Sequence, residues 1–324
     1  MILKFVKITG YGLVLSLAAC TDKQTVGLDN CTANLFVLGT AQDAGKPQIG
    51  QHTDPAWRNG ALIRTASSLA LLKSDSNKFY LFDATPDIKF QLYALAQYSG
   101  QSDAELAGVF LTHGHMGHYL GLAQLGREAM EANNIPVYAM PKMQNFLENN
   151  GPWDLLVKLG NIDIKPISDQ MQVKFGDNIV VTPFAVPHRG EYTETVGFRI
   201  QGAGKSAIYL PDIDSWEQWD TREGGDEAGT RLEDIITAND YLFLDATFYS
   251  GDELPGRDMS KIPHPTITHT IERLQPLSPN ARAKIHFTHL NHSNPAHDEI
   301  TNAFQNIEKS GFNVSKAGQH FCLD

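Results

Sequence analysis

The chain has 324 residues, 42% hydrophobic and 19% charged, which is long enough for one large core or two small ones. Its formal charge is −11, from 26 basic against 37 acidic residues. No cluster of Lys and Arg is present to neutralise phosphates, so the expected partner is a small-molecule or peptide substrate and no nucleic acid.

Lys4 and Lys7 precede the apolar segment Ile8 to Ala19, too short to span a bilayer and ending in small residues, which reads as a secretory signal. Leu17-Ala18-Ala19-Cys20 resembles the bacterial lipobox, whose cysteine is lipidated and becomes the new N-terminus. The expected division is therefore a signal peptide over 1–19, a lipidated Cys20 and tether over 20–33, and a folded domain over 34–324. The expected product is an exported, membrane-anchored lipoprotein at the periplasmic face, in the outer membrane if the source has one, because Thr21 rather than Asp follows the cysteine. An exported compartment is oxidising, so the remaining Cys31 and Cys322 either pair or stay buried as two thiols.

Leu35 to Thr40 is an apolar strand that feeds a long Gly-, Pro- and Gln-rich loop, Ala41 to Asn59; loops of that length are usually functional. Ser67 to Leu72 and Lys78 to Phe82 form a predicted hairpin that ends on Asp83, and a helix is expected from about Pro86 to Ser99. Gly108 to Leu111 is a strand, followed by the histidine stretch and a helix expected to reach about Ala132. Val137 to Ala139 is a strand, and a helix spans Lys142 to Asn149. Ile179 to Pro183 and Phe184 to Val186 are two predicted strands delivering His188, and Thr195 to Gln201 is another. Ala207 to Leu210 and Tyr241 to Leu244 are buried strands that stop at Asp212 and Asp245. A helix begins near Thr266 or Thr268, a strand covers Lys284 to Phe287, a helix Ala296 to Ser310, and a last strand Gln319 to Leu323. Strands and helices mixed in this order, with no single parallel series, predict an α/β (α+β in some schemes) four-layer sandwich: two mixed sheets covered by helices.

The densest chemistry lies in Leu111-Thr112-His113-Gly114-His115-Met116-Gly117-His118, three imidazoles directly after an apolar strand. A strand-to-helix corner with glycines lets their side chains converge, and imidazole is the commonest ligand of zinc and similar metals. His188, Asp212, Asp245 and His289 sit at other strand ends as further candidates.

Asp83, His113-Gly114-His115-Met116-Gly117-His118, His188, Asp212 and His289 follow one another in the order typical of the metallo-β-lactamase fold superfamily, which the chain resembles. The segments Val37 to Thr40, Gly45-Lys46-Pro47-Gln48, Ser67 to Ala70, Ala84 to Asp87, Leu244 to Phe248, Gly256 to Met259 and His289 to Pro295 are similar to the pyrroloquinoline quinone biosynthesis protein B branch. The resemblance implies the αββα sandwich, with His113, His115 and His188 holding one metal, His118 and His289 a second, and Asp212 bridging. Asp83 and Asp245 are then supporting residues behind the ligands, Asp245 alternatively capping its own turn. One or two divalent ions are implied, zinc foremost, with iron or manganese as the other options. The family's Asp within the histidine motif is Gly117 here. Its loss is expected to weaken the second centre, and Gly117→Asp to restore it.

A metal of this kind generates hydroxide from water at neutral pH and polarises the oxygen under attack. Asp212 is expected to bridge or take a proton, and His264 and His292 to complete a shell or donate to a developing oxyanion. Arg189 and Arg257, beside the proposed loops, either grip an anionic substrate or form surface ion pairs. The leading expectation is a hydrolase of an ester, lactone, amide or phosphoester. An iron-dependent oxidative enzyme related to the biosynthetic branch, and a non-catalytic metal- or ligand-binding protein, stand beside it.

Overall fold

A computed structural model describes residues 31–221 and 231–324. The first sheet begins with β1 (Ala33–Gly39), β2 (Ser68–Lys73), β3 (Lys78–Phe82), β4 (Glu105–Phe110), β5 (Ile135–Ala139) and β6 (Ile162–Pro166). The second contains β7 (Val173–Phe175), β8 (Ile179–Ala185), β9 (Val196–Gln201), β10 (Ser206–Leu210), β11 (Tyr241–Asp245), β12 (Ile285–Thr288) and β13 (Asn313–Val314). The chain then returns to the first sheet as β14 (His320–Cys322), beside β1. Spatial order is β14-β1-β2-β3-β4-β5-β6 in one sheet and β13-β12-β11-β10-β9-β8-β7 in the other.

Each sheet is half antiparallel and half parallel. Pairings from β14 through β3 are antiparallel, and from β3 through β6 parallel. In the second sheet, β7 to β10 pair antiparallel and β10 to β13 parallel. The parallel strands all point one way within their sheet, so their carboxyl ends open onto one edge, where the chemistry collects.

Strand alternation builds the layers. Along β1, Leu35 and Val37 enter the core between the sheets with Phe82, Phe110, Phe198, Tyr209 and Phe243, whereas Phe36 and Leu38 face outward. That outer face is covered by α1 (Ile88–Ser99), α3 (Pro141–Asn149) and α4 (Trp153–Lys158), with the short α2 (Met116–Tyr119) between them in sequence. Trp216 and Trp219 of α5 (Trp216–Asp220), with α6 (Arg231–Ala238), α7 (Ile267–Leu274) and, after α8 (Pro279–Arg282), α9 (Asn302–Lys309), cover the outer face of the second sheet. The result is the four-layer αββα sandwich read from the sequence. Fully burying one of these large apolar side chains stabilises the fold by roughly 1.5–3 kcal/mol.

Several boundaries differ from the sequence reading. The helix expected to run to Ala132 is α2 followed by a 3₁₀ segment, Leu120–Leu125, that stops at Gly126, which leaves the helical region at φ −68°, ψ 169°. The helix expected over Ala296 to Ser310 is a 3₁₀ turn, Pro295–His297, and then α9, restarted where Thr301 Oγ accepts from the Phe304 N–H. The two strands expected over 179–186 are the single β8. Cys31 and Cys322 form a disulfide, with Cα atoms 5.9 Å apart, that joins the start of β1 to β14.

Candidate metal centre

The histidine corner leaves β4 and turns into α2, bringing the imidazoles of His113, His115 and His118 to the carboxyl edge of the first sheet. His188 arrives on the segment after β8, Asp212 after β10 and His289 after β12, all from the second sheet. Two groups of ligand atoms result. His113 Nε2 lies 2.8 Å from His115 Nδ1, which lies 3.2 Å from His188 Nε2. Alongside, Asp212 Oδ2 lies 3.1 Å from His118 Nε2 and 3.3 Å from His289 Nε2, while its Oδ1 lies 3.6 Å from His188 Nε2. Asp212 therefore stands between the two groups.

The other nitrogen of each ring is occupied, and this fixes which atom faces inward. The His118 Nδ1–H donates to Asp83 Oδ2 at 2.7 Å, the His188 Nδ1–H to Asp214 Oδ1 at 2.8 Å, and the His115 Nε2–H to Glu191 Oε2 at 3.0 Å. The Thr112 hydroxyl donates to Asp83, so it accepts from His113 Nδ1–H at 3.0 Å. Likewise the Thr247 hydroxyl donates to Asp245 and accepts from His289 Nδ1–H at 3.0 Å. Five imidazole lone pairs and a carboxylate consequently converge on a buried space. Among the described residues, His118 Nε2, His289 Nε2 and Asp212 Oδ2 have no hydrogen-bond partner, although the two nitrogens lie 3.1 and 3.3 Å from that carboxylate oxygen. Each such orphan costs about 1–3 kcal/mol, a penalty that a divalent cation removes for all three together.

The electrostatics agree. Burial lowers the pKa of His113, His115 and His289, keeping these imidazoles neutral as ligands must be. Burial opposes charge on His118 as well, yet Asp83 and Asp212 draw it well above the ordinary histidine value. Burial is likewise outweighed at Asp212, where His289, His118 and His113 hold the carboxyl well below its usual range. Positive charge is favoured at this point of the fold.

Asp83 takes the backbone N–H and hydroxyl of Thr112, the ring of His118 and the Tyr209 hydroxyl, linking both sheets behind the site. Asp245 does not orient a ligand imidazole directly. It accepts from His264 Nδ1–H at 2.7 Å, from the Ile213 N–H at 3.0 Å and from the Thr247 N–H two residues on, so it also closes its own turn. His264 is thereby held with its ring 5.5 Å from that of His188. Burial works against its charge, but Asp245 pushes its pKa up to about 9. Arg189 is exposed near His115 and Glu191.

Two expected residues are corrected. His292 is not with the other imidazoles: its backbone carbonyl accepts from Lys46 Nζ, which also pairs with Asp54, away from the cluster. Arg257 is exposed on the turn after Leu254, and among the described residues no contact joins its side chain to the site. The reading from sequence omitted Asp43, Asp214, Glu191, Thr112 and Thr247. Asp43 groups with His118 and His289, its Oδ1 3.5 Å from His118 Nε2.

Residues 78–290 match the beta-lactamase superfamily domain. The chain belongs to this family. Coenzyme PQQ synthesis protein B of Xanthomonas axonopodis pv. citri (strain 306) is 26% identical over 319 residues, covering 89% of this chain and 99% of the relative. Zn(2+)-bound PqqB from Methylobacterium extorquens superposes with a TM-score of 0.72 at 23% identity, over 89% of this chain and 99% of that one. A diphosphatase of the PhnP family superposes at 0.61 with 23% identity, over 89% and 96%. The chain thus has the metallo-β-lactamase fold in a PqqB-like form, and its His and Asp groups support binding of a divalent metal.

These comparisons correct the expected location. The relative, matched over nearly its whole length, is a coenzyme synthesis protein and gives an exported, membrane-anchored lipoprotein no support. The expectation rested on one short apolar run and Cys20, which lie outside the described residues. Among the described residues no helix is long and apolar enough to cross a membrane.

Proposed function

We propose that this chain is a metal-dependent hydrolase acting on a small ester, lactone, amide or phosphoester, with residues 34–324 as its catalytic domain. The observation that carries the reading is the convergence of five ring nitrogens, each with its second nitrogen hydrogen-bonded elsewhere, on the buried Asp212 carboxylate. His113, His115 and His188 would hold one ion, and His118, His289 and Asp212 would serve a second, zinc being the ion best suited to imidazole and carboxylate. Such an ion lowers the pKa of water towards ~7 and polarises a carbonyl or phosphoryl oxygen.

The chain's own residues supply the rest. Asp212, between the two groups, stays ionised and accepts a hydrogen bond from the attacking water, orienting it. His264, held by Asp245, is cationic at neutral pH and donates a proton to the departing oxygen or nitrogen. Arg189 offers a guanidinium at the exposed rim for an anionic substrate.

The second reading is an oxidative enzyme using iron, favoured by the similarity to coenzyme PQQ synthesis protein B along 89% of the chain. One experiment separates the two: elemental analysis of protein purified without chelator, with dioxygen uptake and a panel of ester, lactone and phosphodiester substrates on the same sample. Zinc with hydrolysis and no uptake upholds the hydrolase. Iron with uptake and no hydrolysis replaces it.

A further inference from the structure

The family's second-centre carboxylate is missing at Gly117, yet the space is not vacant. A Cβ placed on Gly117 would meet Asp43 Oδ1 at 2.1 Å and Asp43 Cα at 2.5 Å. The loop after β1 therefore puts its own carboxylate where a side chain from position 117 would begin. We propose that Asp43 is the carboxylate ligand of the second metal centre, supplied from this loop in place of the one the histidine motif lacks. The proposal rests on the metal-binding reading of the site and not on which reaction the metal serves.

Three observations support it. One ligand atom each of Asp43, His118 and His289 lie within 4.8 Å of one another, and His118 Nε2 and His289 Nε2 are buried with no hydrogen-bond partner among the described residues. The loop is registered against the strand end that carries His289. The Leu290 N–H donates to Thr40 O at 2.9 Å and the Gln42 N–H to Leu290 O at 2.8 Å, so residues 40–42 run beside 289–291 like an added strand. Asn291 Nδ2 donates to the Gln42 side chain as well. Finally, Asp43 has φ +24° and His289 φ +60°, both in the left-handed region that residues other than glycine seldom occupy. Two residues in strained backbone, each next to a residue of the hydrogen-bonded pair Gln42–Leu290, suit the holding of two ligands from neighbouring segments. Asp43 keeps about half of its side chain exposed (46%), which leaves the second centre open towards solvent and an incoming ligand.

Glycine at 117 and aspartate at 43 are thus one arrangement. With a side chain at 117 the loop cannot approach, and without Asp43 the second centre has two imidazoles and Asp212 alone. The test is metal stoichiometry and affinity, measured by elemental analysis and by calorimetric titration with zinc on the purified full chain. Wild type is expected to take about two equivalents, and Asp43→Asn about one, or to bind the second at least tenfold more weakly. Asp43→Ala gives the same loss, and thermal unfolding of both variants without metal establishes that they are folded. His115→Ala, in the other group, loses the first equivalent instead. Two equivalents bound by folded Asp43→Asn with unchanged affinity, or a single equivalent in wild type, overturns the proposal. Hydrolysis is scored separately: two metals without hydrolysis contradicts the proposed reaction and leaves Asp43 a ligand, whereas one metal with hydrolysis does the reverse.

Discussion

His264 and His292 occupy similar places in the sequence, on loops near prolines, and the fold treats them oppositely. His264 is gripped by Asp245 inside the site, whereas His292 stands with Lys46 and Asp54. Replacing His264 by Gln should therefore lower kcat by about 10²- to 10⁴-fold with metal content unchanged. The same substitution at His292 should leave kcat within a factor of a few, and equal losses at both would remove His264 from its role. Gly117→Asp, which the histidine motif alone marks as restorative, is expected to act in the other direction. Its side chain would meet the Asp43 backbone, so the loop must move, destabilising the protein by about 1–3 kcal/mol. Denaturant titration checks this, and a gain in both stability and metal content would contradict it. The convergence of the candidate histidines was legible because imidazoles spaced within one corner have few other uses. Asp43 was not: a lone carboxylate in a Gly- and Gln-rich loop carries no spacing signal, and only the pairing of residues 40–42 with Leu290 brings it to the site. Asp214, two residues beyond Asp212, had only its nearness to a candidate ligand to mark it.

Apolar strands that stop on Asp, Thr or His were readable, since β3, β4, β10, β11 and β12 are buried runs ended by polar residues that serve the site. The edge strands β6, β7 and β13 were not, because they are short and partly exposed and so lack a continuous apolar pattern. Strand β12 carries a further consequence in His286, packed between Phe243 and Phe321 with its Nδ1 unpaired among the described residues. Burial pushes its pKa down to about 4. The unfolded chain binds a proton at about pH 6.5 and the folded one does not until about pH 4, so stability is complete above the first value and declines as pH falls to the second. The loss from this residue is on the order of 3 kcal/mol. His297, lowered to about 3 by burial and then by Lys46, adds to the same acid loss. His286→Phe should hold its denaturation midpoint better than wild type between about pH 6.5 and pH 4. Parallel pH profiles for the two proteins would show that the buried imidazole does not set the slope.

Across the whole molecule, the candidate ligands divide between the sheets. His113, His115 and His118 follow a strand of the first, and His188, Asp212 and His289 follow strands of the second. An ion held by both sets would fasten the sandwich at its open edge. Chelation is therefore expected to lower the thermal midpoint by several degrees, since ligand at 100 times its Kd adds about 2.7 kcal/mol to the folded state. An unchanged midpoint after complete removal would mean that the sheets do not depend on it. The layers and the two-sheet plan were legible from alternation and strand order, but the closing of the first sheet by β14 depends on contacts between the two ends of the described chain. There the Cys31–Cys322 bond, spanning 291 positions, makes the polypeptide between them a covalent ring. A ring cut once is still one molecule. A protease that nicks any single loop between these cysteines should yield a product that migrates whole on a denaturing gel until a reductant is added, and only then falls into two fragments.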